Sequence, residues 1–429
     1  MNQKFWRTKD GQVMTKGQSK QRQWFYIVVG VLAVFVSIGF ARLAYGVVLP
    51  YMREGLSLTY QEAGLLGTTT AFGYLSTLLL AGLLGVKWGG KRTVALGLIL
   101  NILGFAGLSL AGSMGSSMLY MFLLGVGTSF TFTNLASLLT AWFPQKRGLV
   151  LGFLSSGVGI GVVFVGLYIP FLAVIAPVNH WRLAWGSFAL FGLFILILFG
   201  LGIKDHPQLK ANGASLSLSA QRHVYFNPDL VLSGLIYAAV GLTYIVYMTF
   251  TMSFMLEMGL DAVIAGQLIA INGMISIFSG PVWGSISDRI GRLPALGLCT
   301  VFCLLAFIIP LIYPTMLGFA INVFLAGVTM QGLFTLAQAL GTDQVEQKDI
   351  PVAFSYITLY YASGQFFGPM LAGWLADWTG TLKSAYLFAI LLLVSGLGLM
   401  YAFHVRKAKT KKDEATGLSL SSKVWRNFR

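Results

Sequence analysis

Apolar blocks of about 17 to 27 residues, separated by short polar loops, make up most of the chain, as at 26–50 and 385–405. A helix that crosses a bilayer needs about 20 apolar residues, whereas helices in soluble cores are shorter or keep a polar face. Only 10% of the residues are charged, against about 25% in soluble proteins, so the chain cannot cover a water-facing surface. The sequence therefore predicts an all-α, polytopic membrane protein.

The spacing of the blocks predicts twelve transmembrane helices in two pseudo-symmetric six-helix bundles, residues 24–203 and 229–405. A polar, Ser-rich segment, 204–228, separates the bundles and is interpreted as a linker, with a regulatory loop as the alternative. Basic tails, 1–23 and 406–429, flank them. The twelve predicted spans are 26–50, 63–86, 94–110, 117–139, 148–172, 184–202, 230–256, 262–286, 295–311, 316–340, 353–375 and 385–405.

Lys and Arg are distributed unequally between alternate loops. If both termini are cytoplasmic, 25 of the 29 Lys and Arg residues lie inside, and only Arg53, Arg182 and Lys383 lie outside. Basic residues are retained on the cytoplasmic side, so this asymmetry predicts an even number of helices with both termini in the cytoplasm, in the cytoplasmic (inner) cell membrane. The basic tails are expected to contact anionic lipid, and no aromatic-basic module indicates nucleic-acid binding.

The two halves repeat each other at an offset of 202 residues. Gly82 and Gly284 begin corresponding loops, and Arg42 and Tyr45 correspond to Tyr244 and Tyr247. Duplicated six-helix units build transporters whose substrate site lies between the halves, near the middle of the membrane. The repeat therefore predicts a carrier with a central site.

The loop after the eighth span, GSISDRIGR at 284–292, resembles a signature of the major facilitator superfamily. The resemblance extends to WFPQKRG at 142–148 and to Trp181-Arg182. It implies the twelve-helix fold of that superfamily, alternating access, and a gating ion pair of Asp288 with Arg289. An ordinary interfacial ion pair is the alternative role of these two residues. The first half departs from the pattern, with Val86 at the acidic position and Lys87 after it. The implied gating motif consists of Gly284, Asp288, Arg289, Gly291 and Arg292.

Two further stretches resemble branches of that superfamily. The stretch from Gly368-Pro369 to Gly380, which contains Asp377, resembles the bacterial monocarboxylate and oxalate/formate carriers, and 39–46 resembles the YbfB/YjiJ-type branch. The first resemblance implies a cation in the eighth or eleventh span, but 262–286 and 353–375 contain neither Lys nor Arg. A monoanion or a polar neutral solute is therefore favoured over a dianion.

Arg42 is the one charged residue well inside a predicted span, about 12 Å short of its outer end. A charge at that depth costs about 2.5–3.5 kcal/mol on insertion scales and usually faces a cavity or a partner. Because the spans offer no carboxylate, we expect Arg42 to bind the anionic group of a substrate in bidentate fashion. The alternatives are snorkelling to the outer surface and capping of helix-end carbonyls.

Polar side chains of facing helices are predicted to complete the substrate site. Tyr45 lies one helical turn from Arg42, on the same face. For each of these residues, hydrogen bonding between helices is the alternative role. The predicted set is Tyr45, Asn134, Tyr244, Tyr247, Asn272, Gln331, Tyr356 and Tyr360.

The sequence contains no pattern typical of an enzyme. Its four His residues do not pair with Cys or Glu at metal-ligand spacing, and no glycine-rich loop carries the Lys-Ser/Thr of a P-loop. We predict a monomeric secondary carrier for a small organic anion, without metal or cofactor, with a proton or counter-substrate as coupling partner. The alternatives are an exporter of a neutral or amphipathic metabolite or drug and, outside transport, a membrane sensor or scaffold.

Overall fold

The computed structural model describes residues 5–7, 13–143, 147–205, 222–346 and 349–415. Residues 206–221 of the predicted linker, parts of both predicted tails, and residues 144–146 of the WFPQKRG motif lie outside the described residues. The elements in chain order are β1 Phe5–Arg7, β2 Val13–Thr15, α1 Lys16–Val34, a π-helix Phe35–Leu43, α2 Ala44–Gly55, α3 Tyr60–Trp88, α4 Gly90–Leu110, α5 Met114–Trp142, α6 Arg147–Ile175, α7 His180–Gly202, α8 Arg222–Tyr225, α9 Pro228–Glu257, α10 Ala262–Ile290, α11 Arg292–Ile312, α12 Met316–Thr342, α13 Ile350–Thr379 and α14 Lys383–Ala415.

Long helices form the body of the protein. The strands β1 and β2 form a short antiparallel pair within the predicted N-terminal tail. Each of the twelve predicted spans lies inside an observed helix, the first one in the continuous run of α1, the π-helix and α2. The described residues contain eleven helices that are long and apolar enough to cross a membrane. The other long helix, α13, has 30 residues and carries polar side chains that include Gln365. The predicted all-α membrane fold is confirmed.

The duplication is visible in the helix boundaries. α3 and α10 both have 29 residues, α4 and α11 both have 21, and the ends of each pair are offset by 202 residues. Gly89 and Gly291, which join these helices, have φ angles of 95° and 93°. This region of φ is accessible to glycine and strained for other residues, so the two halves also repeat the residue type and the backbone conformation of this turn. The predicted offset is confirmed over these elements.

Among the described residues, the most extensive contacts between the two bundles are made by three pairs of helices, α2 with α9, α3 with α13 and α6 with α10. We call the tail side the end at which α3 and α10 finish, and the far side the end at which they begin. The hydrogen bonds described between the bundles all lie between the middle of the helices and the far side.

Glycines bring the backbones of the bundles together. There is no room for a β-carbon between Gly46 and the Met248 carbonyl, or between Gly64 and the Pro369 carbonyl. Close backbone approach at small residues is the usual way in which membrane helices pack. The bundles are therefore closed against each other on the far side.

Candidate functional site

The first membrane helix contains a nine-residue π-helical segment, Phe35–Leu43. The amide of Ala44 donates to the carbonyl of Gly39, five residues earlier. Gly39 itself packs on the backbone of Gly161 in α6, where a β-carbon would lie 2.9 Å from Cα. π-helical turns are rare and occur frequently at functional sites, because they shift the side chains that follow. Arg42 lies in the last turn of this segment.

Arg42 is half-buried and reaches across to the second bundle. Its Nη2 donates to Oε1 of Gln365 in α13, and its guanidinium carbon lies 5.0 Å from the centre of the Tyr74 ring. Gln365, which is 3% exposed, donates from Nε2 to the hydroxyl of Tyr361 over 2.9 Å. Among the described residues no carboxylate pairs with Arg42. Its charge is met by a neutral amide and an aromatic face.

The first membrane helix extends further beyond Arg42 than the sequence predicted. The helix continues to Gly55, 13 residues beyond Arg42, which corresponds to about 20 Å. The shorter predicted distance came from ending the span at Pro50, which the observed helix includes.

Tyr244 of α9, the repeat-related counterpart of Arg42, is also half-buried. It lies near the guanidinium, as do Tyr74 and Tyr361. Arg42, Tyr74, Tyr244, Tyr361 and Gln365 come from four helices and from both bundles. We call these five residues the central site.

Tyr45 and Asn134 have their polar groups occupied inside the first bundle. The Tyr45 hydroxyl donates to the Ala63 carbonyl over 2.6 Å. Asn134 Nδ2 donates to the carbonyls of Ala81 and Phe130, each over 3.0 Å. Both side chains are buried, so in this structure they hold helices together, which is the alternative role that the sequence left open.

Tyr247 and Asn272 make a similar contact inside the second bundle. Asn272 Nδ2 donates to the Val323 carbonyl over 3.0 Å and lies 3.4 Å from the Tyr247 hydroxyl. Asn272 is 2% exposed and Tyr247 3%. The structure does not bring this pair into contact with Arg42.

The last three predicted residues lie outside the central site, on α12 and α13. The hydroxyls of Tyr356 and Tyr360 are hydrogen-bonded over 3.0 Å, between one and three turns from Gln365 toward the tail side. Gln331 of α12 packs beside Gly280 of α10. All three side chains are half-buried.

Sequence reasoning missed Gln365, Tyr361 and Tyr74. The available signal for Gln365 was an amide in the apolar part of the eleventh span, but such amides commonly bond neighbouring helices. Tyr361 directly follows the predicted Tyr360 and therefore lies about 100° away on the helix surface. Tyr74 had no distinguishing sequence signal.

An ion-pair cluster on the tail side joins the end of α10 to α11 and α12. Arg292 Nη1 lies 2.8 Å from Asp288 Oδ1, and Arg292 Nε lies 3.5 Å from Oδ2 of Asp343. Arg292 also donates to the Ser287 hydroxyl. In this structure the partner of Asp288 is therefore Arg292, whereas the resemblance implied Arg289. Arg289 follows Asp288 within α10 and therefore points about 100° away from it, whereas Arg292 begins α11 after the turn at Gly291, which brings its side chain back to Asp288.

The corresponding loop of the first half obtains a carboxylate from another helix. Asp205, just after α7, accepts from the amide of Lys91 at the start of α4 over 3.1 Å. Its carboxylate lies where a β-carbon on Gly89 would be. The loss of the acidic residue at Val86 is thus accompanied by a carboxylate on the same loop from a distant part of the chain.

Comparisons with known proteins agree with this architecture. The chain is 22% identical over 379 residues to the hexuronate transporter of Bacillus subtilis (strain 168), covering 81% of this chain and 87% of that protein. It is 24% identical over 349 residues to monocarboxylate transporter 13 of Bos taurus, covering 77% and 78%. The crystal structure of a bacterial homologue of the human lysosomal transporter Spinster, in an inward-facing and unoccupied conformation, has the same fold, with a TM-score of 0.76 at 15% identity over 90% of this chain and 97% of that one.

The sequence profile of the Major Facilitator Superfamily matches residues 31–316 and 276–429. The profile covers both halves of the observed duplication, and the relatives that match over most of the chain are membrane transporters. The protein is a multi-pass membrane transporter of small solutes, and the chain belongs to the major facilitator superfamily.

Proposed function

We propose that the protein is a secondary carrier that moves a small organic anion by alternating access, with Arg42 binding the anionic group. The observation that carries the proposal is the pairing of Arg42 with the neutral amide of Gln365. A cation deep in the membrane without a counter-ion is costly, and a ligand carboxylate relieves that cost through two charge-assisted hydrogen bonds.

The charge of the central site favours one negative charge on the solute. Arg42 contributes one positive charge, and its four neighbours are neutral polar or aromatic side chains. In a substrate complex, a carboxylate oxygen would replace Oε1 of Gln365 at the guanidinium. The tyrosine hydroxyls would then remain as donors for other oxygen atoms of the solute. A dianion would leave one charge unpaired in a medium of low dielectric constant.

The relatives support this class of solute. Hexuronate and monocarboxylate, which give two of the matched transporters their names, are organic anions. Their identities of 22% and 24% support a class of cargo.

We further propose that the tail side faces the cytoplasm, in the cytoplasmic membrane, because 25 of the 29 Lys and Arg residues then lie inside. The far-side closure then corresponds to a carrier that is open toward the cytoplasm.

No Asp, Glu or His lies deep in a predicted span, so a coupling proton would travel on the substrate carboxyl, or a counter-substrate would take the place of the proton.

The test is a binding assay on the purified protein with monocarboxylates, hexuronates, dicarboxylates, neutral sugars and cationic drugs. A ligand that binds the folded state raises the melting temperature, which identifies a solute for titration. We expect Arg42→Gln to weaken binding of the anion about 10- to 100-fold, because a charge-assisted hydrogen-bond pair is lost. Arg42→Lys should be nearly as damaging, since a point charge does not reproduce the bidentate fork.

The matched control is Arg182→Gln, because Arg182 is bound to the Ser109 carbonyl and stacked on Trp181 at the far side. That variant should bind the anion like the unmodified chain. Near-normal anion affinity in Arg42→Gln would overturn the proposal and leave a neutral solute as the better explanation.

A further inference from the structure

Asp377, near the end of α13, accepts hydrogen bonds from the backbone of the opposite bundle. Its Oδ1 accepts from the Tyr60 amide over 2.9 Å and its Oδ2 from the Gln61 amide over 2.7 Å. Tyr60 and Gln61 are the first two residues of α3, and amides at that position have no partner within their helix. A carboxylate of the second bundle thus caps a helix of the first.

The cap supplied by Asp377 adds to one that α3 already has. Thr59 Oγ1 accepts from the Glu62 amide over 3.2 Å, and Glu62 Oε2 accepts from the Thr59 amide over 2.9 Å. This capping box leaves the amides of Tyr60 and Gln61 without a partner in their own bundle. In the closed arrangement Asp377 accepts from both of them.

The repeat-related helix α10 is capped differently. Asp261, directly before α10, accepts from the amides of Val263 and Ile264 over 2.9 and 3.2 Å, so its cap comes from its own bundle. The helix that packs on α10 from the other bundle is α6, and α6 contains no Asp or Glu. The cap between bundles therefore exists on only one of the two repeat-related interfaces.

A second carboxylate of the same bundle contacts the side chain of Tyr60. The Tyr60 hydroxyl donates to Glu257 Oε2 over 3.3 Å, while the Arg53 guanidinium carbon lies 4.2 Å from the centre of the Tyr60 ring. Glu257 is itself held by the Leu382 amide over 3.1 Å. The first residue of α3 is thus bound to the second bundle through both its backbone and its side chain.

We propose that Asp377 is a positioning residue that holds the far side closed, by capping α3 in this state and releasing it when the far side opens. Separation of α3 from α13 would return two amides and a carboxylate to water, and the favourable interaction of the carboxylate with the helix N-terminus would be lost. Asp377 therefore biases the carrier toward the state that is open on the tail side. This inference concerns the closure of the bundles and holds whatever solute is carried.

The test uses the full-length protein in lipid nanodiscs, with distances between spin labels measured by double electron–electron resonance. One label pair, on Gly115→Cys and Leu317→Cys, reports the far side, and another, on Trp88→Cys and Ile290→Cys, reports the tail side. Both pairs are repeat-related. A β-carbon at Gly115 meets no heavy atom within 4 Å, and the other three side chains are exposed. The native Cys299 and Cys303 are buried, so the labels react with the introduced thiols.

We expect Asp377→Ala to shift the population about three- to tenfold toward longer far-side and shorter tail-side distances, as for the loss of a helix cap. Asp377→Asn should give a smaller shift in the same direction, because the amide oxygen still accepts one hydrogen bond. The matched control is Asp261→Ala, which removes a cap of the same chemistry within one bundle. It should lower the melting temperature without changing the ratio of the two distance populations.

Unchanged distances in both Asp377 variants would overturn the proposal, and so would an equal shift in Asp261→Ala. If Asp377→Ala does not give folded protein, the Asp377→Asn distances decide the matter.

Discussion

The two repeat-related interfaces between the bundles, α3 with α13 and α6 with α10, are built from different chemistry. At the α6–α10 interface there is no space for a β-carbon between Gly266 and either the Gly166 carbonyl or Pro170, and a β-carbon on Gly159 would lie 3.1 Å from the Gly273 carbonyl. Backbone and apolar atoms make these contacts, which have no directional bond.

The α3–α13 interface also contains glycines, but it adds hydrogen bonds that cross between the bundles. Thr68 donates to the Phe366 carbonyl over 2.9 Å, and Asp377 accepts from two amides of α3. Gln365, which binds Arg42, lies on the same helix α13. Hydrogen bonds are made or broken over a short distance, whereas smooth packing of small residues changes gradually with the angle between helices. Under the proposed alternating access, we expect the α6–α10 packing to persist as the bundles rock and the α3–α13 hydrogen bonds to form in only one of the two states.

The largest expected effect comes from adding a bulky side chain at the α6–α10 interface. Gly266→Val places methyl groups against backbone and proline atoms that cannot move aside as a flexible side chain would. We expect far-side closure to fail and transport to fall more than tenfold, measured as uptake of the identified solute into proteoliposomes. Gly82→Val is the control, because a β-carbon there meets no heavy atom within 4 Å. Transport by Gly266→Val at the rate of the unmodified chain would contradict the role given to this interface.

The next largest effect is expected at Gln365 of α13, and it tests whether the polar residues at the α3–α13 interface determine which solute binds. Gln365→Glu keeps the size of the side chain and gives Arg42 an internal counter-ion, so we expect anion affinity to fall at least tenfold. Gln365→Leu removes the hydrogen bond but leaves the positive charge, and should cost less than tenfold. Isothermal titration with the identified anion separates the two variants. Equal losses would mean that Gln365 acts through packing and that the charge of the site is set elsewhere.

A smaller effect is expected at the tail-side loops, where the two halves again differ. Asp288 pairs with Arg292 within the second bundle and is 67% exposed, so its ion pair is screened by solvent. We expect Asp288→Asn to slow transport about two- to fivefold at near-normal expression, measured as the initial rate per inserted protein. Asp205→Asn, which weakens the first-half counterpart, should have an effect of similar size. An unchanged rate in Asp288→Asn would mean that the ion-pair cluster around Arg292 has no role in gating.

Much of the fold was predictable because its causes are local or periodic. The length of each apolar block predicted a helix, and the repeated glycines and loop motif predicted the offset that α3, α4, α10 and α11 follow. Arg42 could be singled out as a candidate site residue from the sequence, because a charge inside an apolar block usually faces a cavity or a partner.

The partners of these residues were less predictable, since contacts between distant segments leave no periodic signal. Gln365 meets Arg42 across 323 positions of the chain, and Asp205 reaches Lys91 across 114. The π-helical turn that positions Arg42 also has no signature in the apolar periodicity. Asp377 was visible within a motif, but its role depends on which helix end the fold brings to it.

The smallest expected effect is at Thr68, whose side chain donates from α3 to the Phe366 carbonyl of α13. Thr68→Val removes the hydroxyl and keeps the shape, while the Phe366 carbonyl still has its helical partner available. Hydrogen bonds between membrane helices contribute about 0.6 kcal/mol on average, so the far-side distance populations should shift about threefold or less. Thr68→Ser, which retains the hydroxyl, should restore them. A shift in Thr68→Val as large as that in Asp377→Ala would mean that hydrogen bonds along the whole of α13 keep the far side closed. The difference between the two interfaces would then concern the entire α3–α13 and α6–α10 helix pairs, and not only the end of α13 that carries Asp377.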